Sequence, residues 1–169
     1  MFNVGDAVYH PTNGAGVIAN LQRLPALSED QRYYKINMLD SSDTVLMVPV
    51  REAENLGLRH AVSSDGVREV LRVLSSPPAP LPAAHKERYK LCQDKLSTAN
   101  AVEIAEVVRD LANRQVANER LNVPGSRIYK KGLELLTGEL AVAQGLSLEA
   151  AGPQIHAALD AYTVQIPGV

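Results

Sequence analysis

Residues 4–18, VGDAVYHPTNGAGVI, constrain this chain more than any other stretch, because they read as a β-hairpin and little else. Val4, Ala7 and Tyr9 lead into His10-Pro11-Thr12-Asn13-Gly14, where Asn-Gly supplies the two positive-φ positions that a hairpin turn most readily uses. Gly14-Ala15-Gly16 then lets the backbone bend into Val17-Ile18-Ala19-Asn20-Leu21, a second strand. A lone hairpin is marginal in water, so the pair needs partners. They come at residues 31–37 and 44–50. In the first, Tyr34, Ile36 and Met38 fall on one face and Tyr33, Lys35 and Asn37 on the other, as a strand requires. In the second, Thr44-Val45-Leu46-Met47-Val48-Pro49-Val50 is apolar on both faces after its first residue, which predicts cover on both sides. Pro49 has no N–H for a ladder and belongs at a strand end or on a sheet edge. Residues 24–30, with a proline and acidic side chains, and the polar residues 40–43 are the connections. These strands predict a small, strongly bent antiparallel sheet that closes into a barrel of the Tudor or SH3-like kind.

Beyond residue 60 the apolar spacing changes from two to three and four. Ser63-Ser64-Asp65 caps a helix over residues 65–74 that carries Val67, Val70, Leu71 and Leu74 on one face. Ser75-Ser76-Pro77-Pro78-Ala79-Pro80-Leu81-Pro82 is a stiff, extended connector that delivers a second helix with Pro82 near its start. That helix, residues 85–96, sets Tyr89, Cys92 and Leu96 on one stripe and its basic residues off it. Asn100-Ala101-Val102-Glu103 has the form of a capping box, and Ile104, Val107, Val108 and Leu111 give the pattern of a core helix. After a turn at residues 122–126, Tyr129, Leu133, Leu136 and Leu140 form the face of a fourth helix ending near Gly145. A last helical segment begins at Ser147, is interrupted or restarted at Gly152-Pro153, and packs through Ile155, Leu159 and Tyr162. The fold class expected is therefore α+β in two domains: residues 1–60 the barrel, residues 61–163 an all-α bundle of about five helices, and residues 164–169 a flexible tail.

With 169 residues, 46% of them hydrophobic, the chain can bury one modest core or two small ones. A net charge of −2 removes the simplest argument for nucleic acid, but the charge is segregated. Residues 85–131 hold ten Lys and Arg against six Asp and Glu, whereas residues 132–169 hold four acids and no base. Arg127, Lys130 and Lys131 crowd the first turns of the fourth helix, where each opposes the macrodipole by up to about 1 kcal/mol. Local stability does not explain them. A partner bearing phosphates would, and so would ordinary solvated charge on a surface helix. Lys86, Arg88 and Lys90 add to the basic segment. Cys92 is the only cysteine, His10, His60 and His156 have no carboxylate or thiol at ligand spacing, and no catalytic constellation stands out. We therefore expect no disulfide, metal, cofactor or catalytic site. The first residues lack a leader and no run approaches the roughly 20 apolar residues of a membrane span, so a cytoplasmic monomer is expected.

The hairpin VGDAVYHPTNGAGVI and VPVREAENLGLR, followed by GVREVLRVL, ERYK, EVVRDL and LLTGELAVAQ, resemble the CarD/CdnL family of bacterial transcription factors over nearly all of residues 2–144. The N-terminal part is also similar to the polymerase-binding domain of the transcription-repair coupling factor. The resemblance implies a barrel that docks on the β subunit of RNA polymerase through an edge strand, here Thr44, Val45, Leu46, Met47 and Val48, ending at Pro49, with Arg23 near a basic position of the loop side. The family often has Arg where Met47 stands, which favours an apolar or backbone-only contact here. It further implies a helical domain against the upstream edge of melted promoter DNA, with a tryptophan wedged into the minor groove. His85 occupies that position, and the chain has no tryptophan. Lys86, Arg88, Lys90, Arg127, Lys130 and Lys131 would hold phosphates without reading sequence. The other function that fits is a protein-interaction adaptor on the polymerase that has lost useful DNA binding.

Overall fold

The computed structural model describes residues 1–23, 32–39, 44–116 and 120–163, so the expected connections at 24–30 and 40–43 and the tail at 164–169 lie outside the described residues. The hairpin opens a five-stranded antiparallel sheet: β1 (Ala7–His10), β2 (Gly14–Arg23), β3 (Arg32–Met38), β4 (Val45–Pro49) and β5 (Arg59–His60). Their order is β4-β3-β2-β1-β5.

The turn differs from the expected Asn-Gly pair. His10 faces Gly14 across the ladder, so Pro11, Thr12 and Asn13 form the loop, and of Asn13 and Gly14 only Gly14 takes positive φ, +85°. The reason is the histidine. Its Nδ1 accepts the N–H groups of Thr12 (3.2 Å) and Asn13 (3.3 Å), an arrangement that only a neutral ring can make. Burial holds the His10 pKa below its ordinary value, in keeping with that role. Stability of this kind is present above the unfolded pKa, about 6.5, and is lost as pH falls through the lower folded value. A His10→Asn variant, which cannot titrate, is therefore expected to show a flatter acid limb in a thermal-melt series below about pH 6.5 than the parent.

Gly16 sits where β2 crosses β3 so closely that a Cβ would lie 2.6 Å from the Asn37 carbonyl oxygen, which fixes the residue as glycine. Farther along, a register shift between Ile18 and Asn20 bends β2. The bend does not close a barrel. β4 and β5 are the two ends of the sheet, and β5 has only two residues, both paired with β1. Nor is β4 covered on both faces: Leu46 and Val48 pack beneath the sheet with Phe2, Val8, Ile18, Tyr34 and Ile36, while Val45 on the other face is 47% exposed.

Five helices follow: α1 (Ser64–Leu74), α2 (His85–Ser97), α3 (Ala101–Val116), α4 (Val123–Gln144) and α5 (Leu148–Thr163). Their ends are set by short-range chemistry. Ser63 Oγ accepts the Gly66 N–H, Asn100 Oδ1 accepts those of Val102 and Glu103, and Gly145 ends α4 at φ +65°. Contrary to expectation α5 runs unbroken through Pro153. The proline forfeits one backbone bond, and Gly152 before it lacks the Cβ that would crowd its ring.

The largest buried cluster joins the two halves of the chain. Tyr9 and Ala15 of the sheet pack with Val70 and Leu74 of α1, Ile104 and Val108 of α3, Leu136 and Leu140 of α4, and Ile155 of α5. A separate cluster of Cys92, Val107, Leu111 and Ile128 seats α2 on α3 and α4.

Candidate functional site

Two surfaces carry the candidate residues, and the first is the outer edge of β4. Val50 N–H donates to Arg32 O, Met38 N–H donates to Thr44 O, and the register sets Tyr34 against Val48 and Ile36 against Leu46. Alternate residues of an antiparallel strand turn their polar groups to the same neighbour. Leu46, Val48 and Val50 thus bond inward to β3, while Val45, Met47 and Pro49 turn theirs outward. Among the described residues no strand pairs with that side. Pro49 loses no bond by lacking an N–H, because its nitrogen faces away from the sheet. It also limits an added strand to the donors of Val45 and Met47. The side chains leave the edge uncharged: Val45 is exposed, and Met47 is half-buried with Sδ 3.9 Å from Gln22 Nε2. Sheet edges are usually blocked by charge, and this one is not. Arg23 is exposed at the end of β2 opposite Arg32, one strand away from the edge.

The second surface is the meeting point of two helix N-termini. Tyr89 of α2 donates its hydroxyl to Asn122 Oδ1 (2.6 Å), and the same oxygen caps α4 by accepting the Gly125 N–H (3.1 Å). Gly125 leaves room for the phenol, since a Cβ there would lie 2.8 Å from Tyr89 Oη. His85 and Lys86 at the start of α2 therefore share one end of the bundle with Arg127 and Lys130 of α4, and all four are exposed. Among the described residues Lys86, Arg127 and Lys130 have no carboxylate within ion-pair distance. Lys90 is tied to Asp94 (2.7 Å), and Lys131 to Glu134 (3.7 Å), on a side of α4 that faces Asn13 and Gly14 of the hairpin turn.

Arg88 does not belong to this surface. It is 1% exposed, and its guanidinium donates to the carbonyls of Pro82 (2.7 Å) and Ala83 (3.0 Å) and meets His85 Nδ1 at 2.6 Å. Residue 88 precedes Cys92 by four, so it shares the buried stripe from which the basic residues of α2 were expected to be absent.

Sequence reading missed the buried charges that join β5 to α4 and the proline connector to α3. Glu139 of α4 is fully buried and receives Arg59 of β5 through two bonds (2.5 and 3.0 Å), as well as the Val62 N–H (3.1 Å). Arg59 also donates twice to the carbonyl of Ala99 (2.5 and 3.0 Å), a residue held at φ +56°, and its guanidinium lies 4.3 Å over the Tyr9 ring. The Tyr9 hydroxyl is pushed up to about 12 by burial first and by the Glu139 charge second. A second buried pair, Arg109 and Asp110 (2.7 Å), pins the proline connector: Asp110 accepts the Ala79 N–H and Arg109 donates to Ser76 Oγ. The available signal was Glu139 itself, a lone acid spaced by four and three from buried Leu135 and Val142. Among the described residues no cluster of His, Cys, Asp and Glu could hold a metal, and no helix is long and apolar enough to cross a membrane.

Two family models match the chain: one described as CarD-like/TRCF RID domain over residues 2–62, and one described as CarD, C-terminal domain over residues 69–156. The chain is also 31% identical over 147 residues to YdeB of Bacillus subtilis (strain 168), named as a transcription factor, covering 87% of this chain and 95% of that protein.

Proposed function

Since the chain belongs to the CarD family of transcription factors, we propose that it is a non-enzymatic, monomeric cytoplasmic factor that docks on the RNA polymerase β subunit and touches promoter DNA. The sheet of residues 1–60 adds a strand of the polymerase to the outer edge of β4, and the tips of α2 and α4 lie against the upstream edge of the melted region. The observation that carries this reading is the pairing of an uncharged sheet edge with a helix-tip surface bearing Lys86, Arg127 and Lys130, the edge and the three cations all unpaired among the described residues. One surface suits backbone pairing and the other suits phosphates. The Arg59–Glu139 pair joins β5, at the other end of the same sheet, to α4, the helix that carries Arg127 and Lys130. Promoter choice then rests with the polymerase, because phosphate contacts position without reading sequence.

The test is the lifetime of open complexes formed by purified polymerase with and without the protein, an effect on which is expected for the parent. The double variant Arg127→Glu/Lys130→Glu is expected to lose that effect while still binding polymerase. Removal of two phosphate contacts also predicts that the slope of log affinity against log salt, measured on a forked duplex, falls by about 1.8. Both side chains are exposed on α4, so their replacement leaves the buried face of the helix intact and a loss would not reflect unfolding. With Arg88 buried and Lys90 and Lys131 in ion pairs, Lys86, Arg127 and Lys130 are what remains of the six candidate phosphate contacts among the described residues. A slope that is shallow in the parent and unchanged in the variant would establish the adaptor instead.

A further inference from the structure

His85 stands at the first turn of α2, exposed, with its ring 6.0 Å from that of Tyr89. The contact that decides its chemistry is Arg88 Nη2 at 2.6 Å from His85 Nδ1. A guanidinium carries only donors, so this contact calls for Nδ1 as the acceptor, which leaves Nε2, on the far side of the imidazole, to carry the ring proton. Arg88 is not free to release the ring. It is 1% exposed, its Nη1 is held by the Pro82 and Ala83 carbonyls, and among the described residues no carboxylate neutralises it. A buried cation without a counter-ion needs every acceptor it has. The imidazole nitrogen is one of three, and the other two end a connector that α3 already clamps through Arg109 and Asp110.

We propose that Arg88 is a positioning residue that fixes His85 as a directional hydrogen-bond donor, so that residue 85 meets DNA through Nε2–H and not as an apolar wedge. This rests on the reading that the α2 tip faces promoter DNA. A wedge works by sliding apolar area between base pairs. A small, polar ring tethered along one edge is poorly suited to that and well suited to a single directed bond. Its acceptor is either a phosphate oxygen or the minor-groove edge of an A·T pair, which shows adenine N3 and thymine O2, whereas a G·C pair adds a competing amino donor.

Full-length variants on a forked duplex test this. His85→Gln keeps both functions, with an amide oxygen to receive Arg88 and an amide N–H to donate, whereas His85→Phe keeps only an apolar ring. His85→Phe is expected to bind about three- to tenfold more weakly than the parent, and His85→Gln within about twofold of it. Arg88→Lys, checked by melting to be folded, is expected to weaken binding as His85→Phe does. On the free protein, nitrogen–proton correlation spectra of the ring are expected to show one neutral tautomer protonated at Nε2, giving way to a mixture in Arg88→Lys. Exchanging the junction pair among A·T, inosine·C and G·C identifies the acceptor. A penalty for G·C alone, abolished in His85→Phe, assigns the base edge, and indifference to the pair assigns a phosphate. Equal or tighter binding by His85→Phe, or a ring protonated at Nδ1, would overturn the proposal. If Arg127→Glu/Lys130→Glu weakens binding while His85→Phe does not, this inference alone falls. If neither variant changes binding, the DNA reading falls with it.

Discussion

Replacing Glu139 with alanine is expected to destabilise the protein by about 3 kcal/mol, at the low end of what breaking a buried ion pair costs. The carboxylate is fully buried and accepts from two guanidinium nitrogens of Arg59 and from the Val62 N–H, so its loss leaves that N–H without its acceptor and the guanidinium without its counter-ion, held only by the His60 and Ala99 carbonyls. Arg59 is about one-third exposed and can recover part of its hydration, which keeps the loss from the upper end of the range. For a chain of this length the deficit corresponds to a fall in Tm of roughly 6–12 °C. Glu139→Gln retains an acceptor but no charge and is expected to fall between parent and alanine. The pair Arg59→Met with Glu139→Leu should be less destabilised than the sum of its members, because no buried charge is left alone. A loss below about 1 kcal/mol for Glu139→Ala would show that the strut does not hold the sheet to α4.

The same strut shows where sequence reading stops. Element identity rests on local chemistry, and local chemistry is legible: Ser63, Asn100 and Gly145 mark helix ends whatever lies around them, whereas of residues 122–126, read as a turn, Asn122 caps α4 and the rest are its first residues. The buried face of β3 follows from alternation alone. What the residues do not display is which polar groups meet across 80 positions of chain, as Arg59 and Glu139 do. Arg88 was misplaced for a related reason. Charge predicts exposure until a set of acceptors is assembled by tertiary structure, here by the end of a proline connector. The open sheet has a similar origin. Period and propensity predict strands, but whether the ends of a sheet meet depends on strand length at the ends, and β5 is two residues long. Of the candidate site, the edge of β4 was visible as an uncharged strand ending in proline, and the basic surface as a charge imbalance. The convergence of α2 and α4 through Tyr89 and Asn122 was not, since nothing in either residue names the other.

Met47→Pro is the substitution expected to do most to polymerase binding while sparing the fold. The nitrogen of Met47 points away from β3, so a proline there removes no internal ladder bond, just as Pro49 removes none two residues later. It does remove one of the two outward N–H groups and sets a ring where an added strand must approach. Loss of a backbone bond together with that obstruction predicts at least a tenfold to roughly hundredfold fall in affinity for the isolated polymerase, at about 1.4 kcal/mol per tenfold. Leu46→Pro is the contrasting change, because its nitrogen serves the bond to Ile36 inside the sheet, and it is expected to lower Tm sharply. Met47→Ala separates backbone from side chain: if strand addition carries the contact, truncation at this uncharged position costs about threefold or less. Arg23→Lys, one strand removed from the edge, is expected to change little. Binding of folded Met47→Pro at the parent's affinity would rule out the outer edge of β4 as the docking strand, whatever the behaviour of the helix-tip variants.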